Sequence, residues 1–175
     1  MKHLATITDK DITGSNAICT AEPRIAVSTV LFDNDNNIAL CYYGKFNLHT
    51  VVGGGVDRGE DLITAAKREA LEETGYNCEI ICEIGSVFEG LAEIEFAQKR
   101  YYYIARIVGE KSETRLTEKE IAIEMSIQWH SIEKSLQLIS DISTSDYRLK
   151  FTRQCDIIAL NEVITNHAHL IGDTP

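Results

Sequence analysis

VVGGGVDRGEDLITAAKREALEETGY, residues 51–76, is the stretch of the chain that decides the fold prediction. Asp61 is a residue type that caps helix N-termini, and Gly75 is the type that commonly follows a helix C-terminus. Residues 61–74 are therefore predicted to form a helix. Its predicted apolar stripe consists of Leu62, Ile63, Ala66 and Ala70. The three glycines before the helix predict a turn whose backbone can approach a ligand closely.

Three carboxylates are crowded onto this helix, at Glu69, Glu72 and Glu73. Residues three and four apart are neighbours on a helix surface, so like charges there repel by roughly 0.2–0.5 kcal/mol per pair. They also lie toward the helix C-terminus, where the macrodipole disfavours anions. One interpretation is a solvated acidic face in which Lys67 and Arg68 screen the repulsion.

A second interpretation is a binding site for a hard divalent cation. Oxygen ligands suit Mg²⁺ or Mn²⁺, and Mg²⁺ typically combines one or two carboxylates with waters and substrate phosphates. Glu73 is expected at the edge of the apolar stripe, where a partly desolvated carboxylate needs a partner. These features favour a magnesium or manganese site. A calcium loop is disfavoured, because its ligands are spaced along an extended turn and not along a helix.

Strand patterns dominate the rest of the chain. The predicted strands are 24–32, 38–43, 46–52, 79–89, 100–108 and 121–130, and the further helices are 131–139 and 148–164. Turn residues at 33–37 predict that the first two strands form a hairpin, and 109–120 is predicted to be a charged loop. Strands mixed with flanking helices predict an α/β (α+β) layered domain.

The composition limits the classes of function. The 175 residues carry a net charge of -10, so we expect no binding to duplex nucleic acid or to a membrane surface, which both require basic patches. The N-terminus has no apolar signal core, and no run reaches the roughly 20 apolar residues of a membrane helix. The five cysteines form no CxxC pair, which predicts reduced thiols in a cytoplasmic protein.

The stretch that contains the acidic helix also resembles the signature of the Nudix hydrolases. All seven fixed polar and glycine positions of that signature match at the family's spacing. The matching positions, with the two hydrophobic ones, are Gly54, Glu60, Arg68, Glu69, Ala70, Glu72, Glu73, Gly75 and Tyr76. Ala70 and Tyr76 are not the usual large aliphatics, and Val52 stands where many members have proline.

The resemblance implies an α/β/α sandwich around a mixed β-sheet. It implies a Nudix hydrolase domain over residues 22–140, with the motif at 54–76. Residues 1–21 are expected to be an N-terminal arm or short strand. Residues 141–175 are expected to be a C-terminal helical extension that packs on the same domain. Both extensions look like those of small bacterial MutT-like members.

The resemblance further implies a divalent-metal-dependent hydrolase that cleaves a pyrophosphate linkage in a nucleoside diphosphate linked to another group, with Mg²⁺ or Mn²⁺ as cofactor. The implied metal ligands are Glu69, Glu72, Glu73 and the carbonyl of Gly53. Glu60 is implied as a supporting acid, and Arg68 as the residue that orients the carboxylates through salt bridges. The expected catalytic set is Glu60, Arg68, Glu69 and Glu73.

The residue that accepts the proton of the attacking water stays open at this point. Glu69 is preferred, and Glu118 or Glu120 comes next among the later glutamates, which also include Glu113 and Glu124. The candidate substrate-binding residues are Gly54, Gly55, Arg24 and Tyr102. A tyrosine on strand 100–108 could stack on a nucleobase or pack in the core.

One alternative function is a catalytically silent nucleotide-binding regulatory module with the same fold. It is disfavoured because degenerate members of such families usually lose motif acids, and this chain retains all of them. The expected partner is a small nucleotide substrate. Dimers are the commonest oligomers, so a homodimer is the hypothesis for assembly.

Overall fold

The computed structural model describes residues 1–141 and 144–170. In this part of the chain, seven strands form one sheet that is flanked by α-helices. The strands are β1 (His3–Thr8), β2 (Pro23–Phe32), β3 (Ile38–Tyr43), β4 (Leu48–Gly55), β5 (Asn77–Leu91), β6 (Phe96–Val108) and β7 (Met125–His130). The α-helices are α1 (Asp9–Ile12), α2 (Leu62–Thr74), α3 (Glu118–Ala122), α4 (Ile132–Ser140) and α5 (Tyr147–Asn166).

The strand order across the sheet is β1-β5-β6-β2-β4-β3-β7. The pairs β1/β5 and β2/β6 are parallel, and the remaining neighbours are antiparallel. The sheet is therefore mixed, as predicted. Its central strands are covered on both faces, which agrees with their nearly continuous apolar sequence.

Alternation along the strands separates two packed faces. Val30 and Ile104 pack in one cluster with buried residues of α4 and α5. Their neighbours Leu31 and Ala105 pack in a second cluster with Ala70 of α2. Helices thus cover both sides of the sheet, which confirms the predicted α/β/α sandwich.

Helix α2 begins and ends close to its predicted limits. The Asp61 carboxylate accepts hydrogen bonds from the backbone N–H groups of Ile63 and Thr64, both at 3.0 Å. Gly75 follows the last turn in a left-handed conformation. The predicted apolar stripe is partly wrong, because Ile63 is 45% exposed. The buried face instead consists of Ala65, Ala66, Ala70, Glu73 and Thr74.

The predicted hairpin of residues 24–43 is not the main pairing of these strands. Strands β2 and β3 share only the pair Phe32 and Ile38. Strand β4 lies between them and pairs with both, at residues 26–29 of β2 and 40–43 of β3. Local turn chemistry at 33–37 predicts the chain reversal, but the partner of each strand depends on a later segment.

A short helix replaces part of the predicted loop 109–120 and the start of the predicted strand 121–130. Thr117 and Glu120 form a capping box, in which the Glu120 carboxylate accepts from the Thr117 N–H at 2.6 Å. This box starts α3, so β7 begins only at Met125. Capping by Thr and Glu three residues apart is a recognised helix start.

Both terminal segments pack on the sheet. Strand β1 lies parallel to β5, with Thr6 opposite Phe88. Phe151 and Leu160 of α5 are fully buried in the same cluster as Val30. Residues 142–143 and 171–175 of the predicted C-terminal extension lie outside the described residues.

The five cysteines are free thiols, and three of them are buried. Across residues 1–141 and 144–170, no helix combines the length and the apolar character needed to cross a membrane.

Candidate active site

The glycine turn at the end of β4 holds the acidic helix close to the sheet. A side chain at Gly54 would collide with the carboxylate of Glu69. The absence of a Cβ atom therefore lets α2 bring that carboxylate against the strand. Local sequence thus positions the acid, because the three glycines and the helix cap both lie in residues 51–76.

Arg68 connects the turn, the following loop and two of the acids. Its Nε and Nη2 atoms donate to the two oxygens of Glu60, each at 2.9 Å. Nη2 also donates to the carbonyl of Gly55 at 2.9 Å. Nη1 donates to Glu69 at 2.8 Å and to Glu72 at 3.1 Å. The planar guanidinium fork makes all these contacts at once, which a lysine could not do.

The contacts of Arg68 also set the charge of Glu60. Hydrogen bonds from Arg68 lower the pKa of Glu60 below its usual value. The carboxylate also accepts from the Asp57 N–H at 3.0 Å, which holds the loop before α2. Glu60 and Arg68 therefore form a charged pair that holds the loop before α2 against the helix.

Glu73 is the buried acid of the site, with 3% of its surface exposed. Its Oε2 atom accepts from the Gly53 N–H at 2.9 Å and from the Cys41 thiol at 3.4 Å. Burial raises the pKa of Glu73 to about 8, and the nearby charge of Glu69 adds to the effect. A cation beside this carboxylate would favour its charged form.

Glu69 and Glu72 complete the acidic face. Burial raises the pKa of Glu69, while Arg68 acts in the opposite direction. The Glu72 side chain is 36% exposed, so this end of the cluster is open to solvent. In the part of the chain that the structure describes, no group of three or more His, Cys, Asp or Glu side chains has the arrangement of a preformed metal cage.

Each of the three carboxylates nevertheless keeps one oxygen outside the hydrogen bonds formed among residues 1–141 and 144–170. Arg68 uses Oε1 of Glu69 and Oε2 of Glu72, and both contacts of Glu73 use Oε2. Mg²⁺ usually keeps several waters and takes only one or two carboxylates, so it does not require a closed protein cage. This donor set fits a hard divalent cation.

Helix α3 places one of the alternative proton acceptors near the cluster. The charge of Glu120 contributes to the raised pKa values of both Glu69 and Glu73. Glu120 is half-buried, and its carboxylate also caps α3. Glu118 occupies the first position of the same helix and is exposed. The charge of Glu120 therefore affects the pKa values of two acids of the cluster.

A polar pocket of about 260 Å³ lies against the same glycine turn. We name it the arginine pocket after Arg24, Arg100 and Arg148, which line it. Gly53 and Gly54 also form part of its wall. The structure thus brings two predicted substrate-binding residues, Arg24 and Gly54, to one cavity.

Tyr102 does not have the surface position that the predicted contact with substrate requires. Its side chain is fully buried, and its hydroxyl donates to Asp156 at 2.9 Å. A ring enclosed in this way offers no face to a nucleobase. The alternation of side chains in β6 places Tyr102 on the face that packs against α5, and α5 covers it.

The sequence analysis missed a buried polar cluster behind the arginine pocket. Asp156 of α5 accepts from the Val51 N–H at 3.1 Å and from Tyr102. Arg100 lies 3.6 Å from Glu89 and 4.0 Å from Asp156. The one available signal was an aspartate within the apolar spacing of residues 148–164.

Comparison with known proteins agrees with this architecture. The family model described as the NUDIX domain matches residues 22–149. The fold and the acid cluster thus define a Nudix domain. The chain belongs to the Nudix hydrolase family.

Relatives of known name are moderately similar in sequence. The chain is 27% identical over 141 residues to an RNA pyrophosphohydrolase of Pelagibacter ubique, covering 71% of this chain and 87% of that protein. It is 34% identical over 92 residues to an oxidized purine nucleoside triphosphate hydrolase of Danio rerio, covering 52% of each chain.

Solved structures show the same fold. A NUDIX hydrolase from Nitrosomonas europaea matches with a TM-score of 0.62 and 20% identity, covering 85% of this chain and 90% of that one. A structure described as a UDP-X diphosphatase matches with a TM-score of 0.54 and 15% identity, covering 84% of this chain and 65% of that one. At these identities, the similarity supports the fold alone.

Proposed function

We propose that this protein is a divalent-metal-dependent pyrophosphohydrolase that acts on a nucleoside diphosphate linked to another group. One observation carries the proposal: Arg68 holds Glu69 and Glu72 beside the buried Glu73, and each acid keeps one oxygen free of the hydrogen bonds described above. The names of two relatives, an RNA pyrophosphohydrolase and an oxidized purine nucleoside triphosphate hydrolase, support the same class of reaction.

Glu69, Glu72 and Glu73 are the residues that would hold the cation, and the Gly53 carbonyl is a further candidate ligand. When bound, Mg²⁺ or Mn²⁺ would neutralise charge on the phosphoryl oxygens and lower the pKa of a bound water. The residues fit this cation because all of the available donors are oxygen atoms.

The chain's own groups have three tasks in the reaction. Arg68 and Glu60 fix the orientation of the acids, and the Gly53 N–H holds Glu73 against β4. One carboxylate accepts a proton from water as the water oxygen bonds to phosphorus. The bridging P–O bond then breaks, which releases the two phosphate-containing products.

A nucleotide panel tests the proposal. Nucleoside triphosphates, oxidised nucleotides, nucleotide sugars, ADP-ribose and dinucleoside polyphosphates are assayed with Mg²⁺, with Mn²⁺ and with chelator, for release of phosphate or pyrophosphate. Glu73→Gln keeps the size of the side chain and removes its charge. We expect kcat to fall by a factor on the order of 10² to 10³, the range for loss of one strong electrostatic contact to a transition state.

Glu133→Gln provides the matched control, because it makes the same change at an exposed position on α4. Metal-dependent turnover that survives in Glu133→Gln and is lost in Glu73→Gln supports the proposal. Equal turnover in both variants contradicts it. Thermal stabilisation by a nucleotide without hydrolysis under any metal would instead favour the silent binding module.

The proton acceptor is assigned by comparing Glu69→Gln with Glu120→Gln. We propose Glu69, so Glu120→Gln should retain kcat within roughly tenfold of the wild-type value. Loss of a general base typically costs about 10² to 10⁴ in rate. A loss of that size in Glu120→Gln, with Mn²⁺ affinity unchanged, would assign the role to Glu120.

A further inference from the structure

The arginine pocket is positively charged although the chain as a whole is acidic. Arg24 is exposed at the start of β2, and Arg148 lies in the first turn of α5. Within the described residues, neither guanidinium forms an ion pair, and Arg148 stacks 4.3 Å from the ring of Phe96. Both charges are therefore available to a ligand.

Arg100 forms the floor of the pocket and is incompletely satisfied. Its nearest carboxylate oxygens, on Glu89 and Asp156, are 3.6 and 4.0 Å away. Its Nη1 atom donates to the Ser28 hydroxyl at 3.4 Å, and its buried Nε atom has no partner among the described residues. The two carboxylates partly balance its charge, whereas Arg24 and Arg148 form no ion pair within the described residues.

The remaining polar lining suits an anion that accepts hydrogen bonds. Gln98, Thr50 and Thr152 also line the pocket. Its volume of about 260 Å³ is smaller than the roughly 300–1,000 Å³ of typical ligand sites, so it has room for only part of a substrate. Arginine forks match phosphate oxygens in geometry as well as in charge.

The pocket and the acid cluster meet at two adjacent glycines. A side chain at Gly55 would collide with the guanidinium of Arg24, as one at Gly54 would collide with Glu69. Successive residues of a strand face opposite sides of a sheet. Only the backbone of the glycine turn therefore lies between Arg24 on one side and Glu69 on the other.

We propose that the arginine pocket is an anion subsite that binds a phosphoryl group of the substrate other than the one attacked. The enzyme then prefers polyphosphorylated nucleotides to nucleoside diphosphates that end in an uncharged sugar. This substrate preference rests on the proposed function, whereas binding of an anion to the pocket does not.

Calorimetric titration with inorganic pyrophosphate in metal-free buffer tests the subsite directly. Without a cation, the acid cluster repels the anion, so the measured binding reports on the arginines. We expect Arg24→Gln and Arg148→Gln together to weaken binding by roughly tenfold or more, because hydrogen bonds to charged groups are strong. Both residues lie at the protein surface, and the double variant should fold.

Lys150→Gln is the matched control. Lys150 lies two residues beyond Arg148 on α5 but lines a different pocket, with Asp11 and Asp141. Lys150→Gln removes one positive charge from α5, as Arg148→Gln does. Pyrophosphate binding should then change by less than roughly twofold, since solvent and salt screen distant surface charges. Equal binding by the wild-type protein and the double variant, or no binding to either, would overturn the subsite.

An activity measurement tests the preference. In the double variant, the ratio of kcat/KM for a nucleoside triphosphate to that for a nucleotide sugar should fall by roughly tenfold or more. An unchanged ratio would overturn the preference. If the wild-type protein hydrolyses no nucleotide of the panel, the proposed function fails, and the calorimetric result alone decides the anion subsite.

Discussion

Two charged clusters lie on opposite faces of the sheet beside β4, and they are built differently. On the α2 face, one arginine and four glutamates come from residues 60–73, and Glu72 opens to solvent. On the α5 face, Arg100 and Glu89 come from the paired strands β6 and β5, Asp156 comes from α5, and all three are largely enclosed. The first arrangement leaves oxygens available to a ligand. The second ties α5 to the sheet.

This difference predicts separate consequences for mutation. Changes in the acid cluster should affect activity more than stability. Hydrogen bonds hold its carboxylates in place, but each of the three metal-ligand candidates keeps one oxygen outside those hydrogen bonds. Changes in the buried cluster should affect stability first, because its opposite charges balance one another in surroundings of low polarity.

Asp156→Ala is expected to have the largest effect on stability. It removes the acceptor for the Val51 N–H and the Tyr102 hydroxyl, and it leaves Arg100 with less opposing charge. Breaking a buried pair of this kind costs about 3–5 kcal/mol. Chemical denaturation should show the loss.

Asp156→Asn, which keeps the volume and one acceptor, is the control and should lose less. Equal, small losses in both variants would contradict a structural role for the buried cluster.

The pH dependence of stability should carry a signature of Asp156. Burial raises its pKa to about 6 from 3.8, against the opposing effects of Arg100 and the two hydrogen bonds. The folded state therefore binds more protons than the unfolded state between these values. This contribution is most favourable below about pH 4, and it is lost as pH rises through about 6.

The measurement is the difference in unfolding free energy between wild type and Asp156→Asn across this range. Glu89, Cys155, Tyr102 and Arg100 surround the carboxyl group in both proteins and largely cancel in the difference. As pH rises, we expect the unfolding free energy of the wild type to fall relative to that of Asp156→Asn by an amount on the order of 1–3 kcal/mol. A difference that stays flat would contradict the raised pKa.

Arg68→Lys tests the same separation in the acid cluster. Lysine keeps the charge but cannot contact Glu60, Gly55, Glu69 and Glu72 together. Loss of such orienting contacts typically lowers activity or metal affinity by about 10- to 100-fold. Steady-state kinetics and thermal unfolding should show a loss of activity with little change in stability. Lys67→Arg, at the exposed neighbouring position, makes the reverse exchange and should change neither.

The placement of the acids could be predicted from the sequence because all of its determinants are local, whereas their role as metal ligands stays a prediction. Helical spacing places Glu69, Glu72 and Glu73 on one face, and Asp61 and Gly75 mark the helix limits. The mixed sheet and its covering helices were likewise predicted from strand and helix patterns. The involvement of Arg24 at the pocket stays a prediction that the lining of the cavity supports.

The buried cluster could not be predicted, because its members meet only after the sheet order is known. Arg100 and Glu89 lie on adjacent strands, but Asp156 reaches them from α5. The same reason explains two errors: strand β4 separates the expected hairpin partners, and α5 encloses Tyr102. The error at α3 has a different cause, since the Thr117 capping box was present in the sequence but was not used.

We propose that Glu69, Glu72 and Glu73 together hold a divalent cation. Titration of Mn²⁺ into the metal-free protein, followed by electron paramagnetic resonance of the free ion, tests it most directly. We predict binding by wild type and by Asp156→Asn at a pH where both are folded. We predict affinity weakened by about tenfold or more in Glu73→Gln, since a lost charged ligand costs at least this much. Equal Mn²⁺ affinity in Glu73→Gln and wild type would contradict the account.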